Sequence, residues 1–410
     1  QEDNKFIIKK SIPKKMKNSP SIKSFLNLSK IIIVNFFIFC FLWLSLEIFM
    51  FLKNPLIKES NRITCNYDWI LYNYCPDIID IRINSKSDGG EVIEIHTNEI
   101  GQRVNPNNKK TKNINENFFI GDSFIQSDEI AYENTFYGIL SNEKSISAIG
   151  YSSWNLFQYK DVIKKIKKRD INYHIFMMPN DFSPLYERSV YGEILDSPLK
   201  IEDVNIPTGW DIELKKFYNL SLLKKFLNLF ENSSSQDLKI TPSMITGGFN
   251  EENSDNCLYL DKISDTQKNS LGYDYLVFSK TDNCWEELHL NAVNLAISEI
   301  DAIRKLVLSL DAEVFFYLVP PGLSFKSQNT NGRKKNEHYF FSDLMEITTI
   351  PLTNFIEKSL IDIKIINLEN IFKEKILDCN NCENLYYLSD DGHWTKESHR
   401  FLAYYFKNKI

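Results

Sequence analysis

Apolar positions along this 410-residue chain fall into three patterns: one long unbroken run, several short runs, and stretches at helical spacing. The short runs, at 117–120, 145–149, 172–178, 312–319 and 362–368, predict buried strands. Stretches with apolar residues three and four apart predict helices from about Thr135 and over 155–168, 286–310, 338–358 and 396–407. Strands alternating with helices imply an α/β fold with a parallel, doubly wound sheet. Periodicity is poor from about 183 to 286, although 214–230 includes a helical stretch. A long irregular insertion on the rim of a sheet predicts a lid or a substrate wall.

The long run, 31–52, is broken only by Asn35, Ser45 and Glu47. At about 1.5 Å per residue it is long enough to span a ~30 Å hydrocarbon core. It exceeds a signal-peptide core, and no small-residue cleavage site follows Leu52. Eight lysines stand in residues 1–30 against Glu2 and Asp3. That bias predicts a cytoplasmic basic tail (1–30), a single transmembrane helix (31–52) and an outward-facing remainder. Residues 53–94 then read as a linker that packs against a domain edge. Glu47 reads as a snorkelling side chain near the outer interface.

A formal net charge of −6 and the lack of a basic stripe with interleaved aromatics argue against a nucleic-acid partner. Cys40 lies in the apolar run; Cys65, Cys75, Cys257, Cys284, Cys379 and Cys382 lie beyond it. An even number in an oxidising compartment predicts disulfides. Nearest neighbours give Cys65–Cys75, Cys257–Cys284 and Cys379–Cys382, although spacing alone leaves the pairing open. Cys379-Asn380-Asn381-Cys382 has no second half-site, so a small disulfide loop is expected there and not a zinc or redox centre.

Candidate chemistry gathers at strand ends. Phe118-Phe119-Ile120-Gly121-Asp122-Ser123-Phe124 is a buried strand ending in a turn that exposes a serine. That hydroxyl is a nucleophile only beside a base, and Ser389-Asp390-Asp391-Gly392-His393-Trp394 supplies one. An acid two or three residues before the histidine can orient its imidazole. Ile149-Gly150-Tyr151 and Met178-Pro179-Asn180-Asp181 end two further runs, where oxyanion-hole donors are needed. Asp122 reads as a helix cap. Trp154, Asn155 and Trp394 read as packing residues with a possible place in a sugar site. Arg103 reads as a salt-bridge partner before a substrate ligand. His174 reads as a core residue and His399 as a packing or capping one. His96, His289 and His338 show no ligand spacing, and neither a metal nor another cofactor is expected.

These blocks resemble the SGNH (GDSL-like) hydrolase superfamily over residues 95–410, with an insertion at about 190–285. Ser123, Gly150, Asn180 and His393 fall on its signature positions, while Met177 or Met178 stands where a glycine is common. The resemblance implies a flavodoxin-like, three-layer α/β/α sheet. It also implies Ser123 and His393 as catalytic residues, and an oxyanion hole from the Ser123 and Gly150 amides and the Asn180 side chain. The broad superfamily pattern selects Asp390 as the orienting acid. Membrane-anchored bacterial SGNH proteins of polysaccharide O-acetylation, which the chain resembles more, select Asp391. A serine esterase or O-acyltransferase in the bacterial cytoplasmic membrane is therefore expected, facing the periplasm or exterior. Cell-envelope polysaccharide or another acylated glycan would be its substrate, with a multi-span membrane O-acyltransferase as a partner. The competing expectation is an inactive SGNH-fold scaffold or glycan-binding subunit.

Overall fold

The computed structural model describes residues 22–53, 64–84, 88–106, 116–183, 199–200, 257, 271–325, 347–360, 362–377, 386–388 and 392–410. Helix α1 (Ile22–Lys53) comes first. Strands β1 (Thr64–Asn66), β2 (Asn73–Tyr74), β3 (Ile79–Ile83), β4 (Val92–Thr97) and β5 (Arg103–Val104) follow. An alternating series begins with β6 (Asn117–Gly121), α2 (Ser123–Gln126), α3 (Phe136–Leu140), β7 (Ile146–Gly150), α4 (Leu156–Ile166) and β8 (Asn172–Met177). It continues through β9 (Leu199–Lys200), α5 (Leu271–Val277), α6 (Glu287–Leu308), β10 (Glu313–Leu318), α7 (Ile350–Ser359), β11 (Ile365–Asn367), α8 (Leu368–Leu377) and α9 (Lys396–Lys407).

The main sheet has five parallel strands in the order β11–β10–β8–β6–β7. In chain order this is 2-1-3-4-5 read from the β7 edge, the strand order of flavodoxin-like sheets. Its strands point alternate residues to opposite faces, and both faces are covered. Phe118, Ile120, Tyr173, Ile175, Phe316 and Leu318 share one core with side chains of α4, α6 and α7. Phe119, Phe176, Tyr317 and Ala148 join the other core with α3, α8 and α9. Burying each such ring stabilises the fold by about 1.5–3 kcal/mol. Because β6 and β8 are neighbours while their helices leave on opposite faces, a crevice opens at their carboxyl ends. That is where Ser123 stands.

Two smaller sheets lie outside this frame, β2–β1–β9 and the antiparallel β3–β4–β5. The stretch expected as a linker therefore carries four strands. Disulfides join Cys65 to Cys75 and Cys257 to Cys284, the nearest-neighbour pairs. Cys379 and Cys382, most of the 190–285 insertion with its 214–230 stretch, and His338 lie outside the described residues.

Every described side chain on α1, from Lys30 to Ser45, is exposed. Among the described residues no helix holds a stretch both long and apolar enough to cross a membrane. On α1 the described side chains cover fewer positions than the ~20 a span needs.

Candidate active site

Strand β6 carries its buried run to Gly121, and the chain turns at once. Asp122 caps α2, its carboxylate accepting from the Phe124 amide at 3.0 Å, so Ser123 becomes the first helical residue. The turn is crowded. A Cβ on Gly150, at the end of the neighbouring strand β7, would lie 2.7 Å from the Asp122 carbonyl oxygen and 2.8 Å from that of Gly121. Glycine at 150 is what lets β7 finish against the serine turn. Met178 follows β8 and leads into a short 3-10 turn, Pro179–Phe182, that holds Asn180 buried at the rim of the same sheet.

His393 arrives from the far side on a tight return. Tyr387 pairs with Trp394 in an antiparallel bridge, and Leu388 and His393 are joined by a 2.8 Å backbone hydrogen bond. Gly392 makes the corner at φ 79°, a left-handed conformation that side chains disfavour. Trp394 is buried among Phe124, Phe176 and Phe372, which fixes the return against the core. The result brings together residues 270 apart in sequence: His393 Nε2 and Ser123 Oγ are 2.7 Å from each other. The Phe124 ring lies 4.8 Å from the imidazole.

The other nitrogen, His393 Nδ1, lies 3.5 Å from Oε1 of Glu129. Glu129 is buried and was not anticipated from sequence. Arg82 Nη2, from β3, meets the same oxygen at 2.7 Å, and its Nη1 lies 3.9 Å from Asp128. Asn84 donates to the Glu129 carbonyl at 2.7 Å. Arg103, on β5, donates to the carbonyls of Gln126, Ser127 and Ile130. Among the described residues it bonds these carbonyls in place of the expected carboxylate: it is buried and splints the loop after Ser123. Asp390 and Asp391, the acids expected to orient the imidazole, lie outside the described residues.

Burial dominates the electrostatics here. It pushes the Asp122 carboxyl up to about 6, against the Phe124 amide and His393, which pull it down, while Glu129 adds to the rise. Burial, then the charge of Asp122, holds Asp181 well above the usual carboxylate range. Tyr159 donates to Asp181 at 3.2 Å, and Asp181 accepts from the Met178 amide at 2.8 Å, so its role is to brace the turn that carries Asn180.

The other candidates are structural. Asn155 caps α4 in a capping box with Gln158. Trp154 is buried and donates to the Tyr72 carbonyl at 2.9 Å. His174 stacks between Phe119 and Phe315 in the core. His399 accepts the Phe136 amide at 3.1 Å and so serves the first turn of α3. Among the described residues no group of His, Cys, Asp and Glu is placed to hold a metal ion.

One signal of Glu129 was present in the sequence: consecutive acids, Asp128-Glu129, beside an apolar turn, in a chain with only eight arginines. Buried acids call for arginine, and two of the eight stand shortly upstream, at 82 and 103. Neither a protein-family model nor a curated protein matches this chain.

Proposed function

We propose that the chain is a serine hydrolase or O-acyltransferase of the SGNH type, with Ser123 as nucleophile and His393 as its base. The observation that carries this is the 2.7 Å contact between His393 Nε2 and Ser123 Oγ at the switch point of a 2-1-3-4-5 sheet. His393 takes the hydroxyl proton as Oγ bonds to the acyl carbon. The Ser123 and Gly150 amides and the Asn180 side chain are the proposed oxyanion donors. Collapse breaks the bond to the leaving alkoxide, which departs with the proton from Nε2, and the acyl group remains on Oγ. Water or a sugar hydroxyl then gives its proton to His393 as its oxygen bonds to the acyl carbon; the acyl–Oγ bond breaks and Oγ takes that proton back from Nε2. Hydrolysis and transfer differ only in that acceptor.

The anchored, outward-facing part of the proposal rests on the apolar run at 31–52 and its lysine-rich flank. Two disulfides fit an oxidising compartment. Such a placement makes acylated cell-envelope glycans the substrate class; acetyl as the acyl group and a multi-span acyltransferase as its source are what the resemblance to SGNH proteins of polysaccharide O-acetylation implies.

A fluorophosphonate probe tests the chemistry, since Oγ displaces fluoride from phosphorus only when activated. With the full chain in native membranes, labelling at Ser123 is expected, with loss in Ser123→Ala and in His393→Ala. A folded chain that neither labels nor cleaves a chromogenic acetate ester would sink the enzyme reading in favour of a scaffold or glycan-binding subunit.

A further inference from the structure

A buried carboxylate is costly unless it is paired, and Glu129, 2% exposed, stands in the interior beside His393. Its surroundings hold it still. Arg82 binds Oε1, Asn84 binds its carbonyl, and Arg103 pins the carbonyls of Gln126, Ser127 and Ile130 on either side of it. All three supports come from the amino-terminal strands or the residue just after β3, none from the main sheet. The same oxygen that meets Arg82 faces His393 Nδ1 at 3.5 Å, an ion-pair distance that shortens readily once the imidazole is charged.

Resting on the reading of Ser123 and His393 given above, we propose that Glu129 is the positioning residue for His393. Its carboxylate holds the imidazole with Nε2 toward Ser123 and stabilises the imidazolium that forms when the serine proton is taken. The β3–β5 sheet is thereby part of the active site. Among the described residues, the charged or titratable groups around this imidazole include Ser123 at Nε2, Glu129 at Nδ1 with Arg82 on the same carboxylate oxygen, and Asp122 and His399, which share its field. Asp390 and Asp391 adjoin it in sequence.

The test compares the full chain with Glu129→Gln, which keeps an acceptor for Arg82 but drops the charge, and with Glu129→Asp, which keeps the charge but withdraws it by one methylene. Asp390→Asn and Asp391→Asn serve as comparisons. Two pH profiles are read: the rate of fluorophosphonate labelling at Ser123, and the rate of diethyl pyrocarbonate modification at His393, both mapped by mass spectrometry. Glu129→Gln is expected to label about 10-fold more slowly or worse. Its midpoint for His393 modification should fall by roughly one pH unit, because an opposite charge has been removed from beside the ring. Glu129→Asp should recover part of both. Profiles of Glu129→Gln that superimpose on wild type would overturn the assignment, most plainly if an Asp390 or Asp391 variant carries the shift instead. Should Glu129→Gln not fold, a Glu129→Asp midpoint identical to wild type overturns it equally. If wild type does not react with the fluorophosphonate, the nucleophile reading fails alone. The His393 midpoints then decide Glu129 on their own, a shift supporting the pairing and no shift rejecting it.

Discussion

At the scale of single residues, Gly150 is a tight constraint on the candidate site. An added Cβ would meet the carbonyls of Gly121 and Asp122 and Cβ of Ile125, none of which is the free end of a flexible side chain. Gly150→Ala should therefore cost about 1–3 kcal/mol in urea unfolding and slow Ser123 labelling as the turn is pushed aside. An unfolding midpoint equal to wild type would show that the turn yields freely. Ser123 and His393 were legible in the sequence because an apolar strand breaking into Gly-Asp-Ser, and an acid-rich loop ending in His-Trp, are local signals. Glu129 was not, because what defines it is Arg82, brought to it by a strand with no local bond to the turn. Arg103 misled for a related reason: its partners are backbone carbonyls, which no side-chain pattern reveals.

Elements repeat the contrast. The five parallel strands announced themselves as apolar runs, since a strand covered on both faces has no polar side to display. β1, β2 and β5 are two or three residues long and give no period to read. α8 begins at Leu368, directly after β11 ends at Asn367, so no loop marks the passage from strand to helix. α1 is the other extreme, with Ile31, Phe36, Phe37, Phe41 and Leu42 all more than half exposed. A helix apolar on every side is either buried in a larger core or immersed in lipid. As the proposed membrane anchor, α1 should keep the full chain with the membrane fraction through an alkaline carbonate wash. Recovery of the chain in the wash supernatant would reject the anchor and with it the outward-facing placement.

For the whole molecule, buried titratable groups set how stability depends on pH. Burial lowers His174 and His399 to about 3, and the charges of Arg103 and His393 add to the depression at His399. A depressed histidine contributes stability that is present above its ordinary value near 6.5 and is lost as pH falls toward the folded value. Asp122, raised to about 6, has the opposite slope: its contribution is full below the ordinary carboxylate value and fades as pH rises through 6. Asp181, held well above the usual carboxylate range, has the same sign as Asp122, so histidines and carboxyls oppose one another as pH drops from about 6.5 toward 3, and single substitutions separate them. Relative to wild type, the thermal midpoint of His399→Asn, which keeps an acceptor for the Phe136 amide, should fall less as pH drops over this range, and that of Asp122→Asn should fall more. Circular dichroism melts across this range are the check, and a His399→Asn slope equal to wild type would rule out the histidine as a cause. The loop after Ser123 has a further consequence, for inheritance and engineering. A fragment cut at residue 105 would keep every strand of the main sheet, Ser123 and His393, yet lose Arg82, Asn84 and Arg103. The smallest portable unit, one that recombination could move into another protein with its site intact, is longer than the α/β sheet itself and begins upstream of β3.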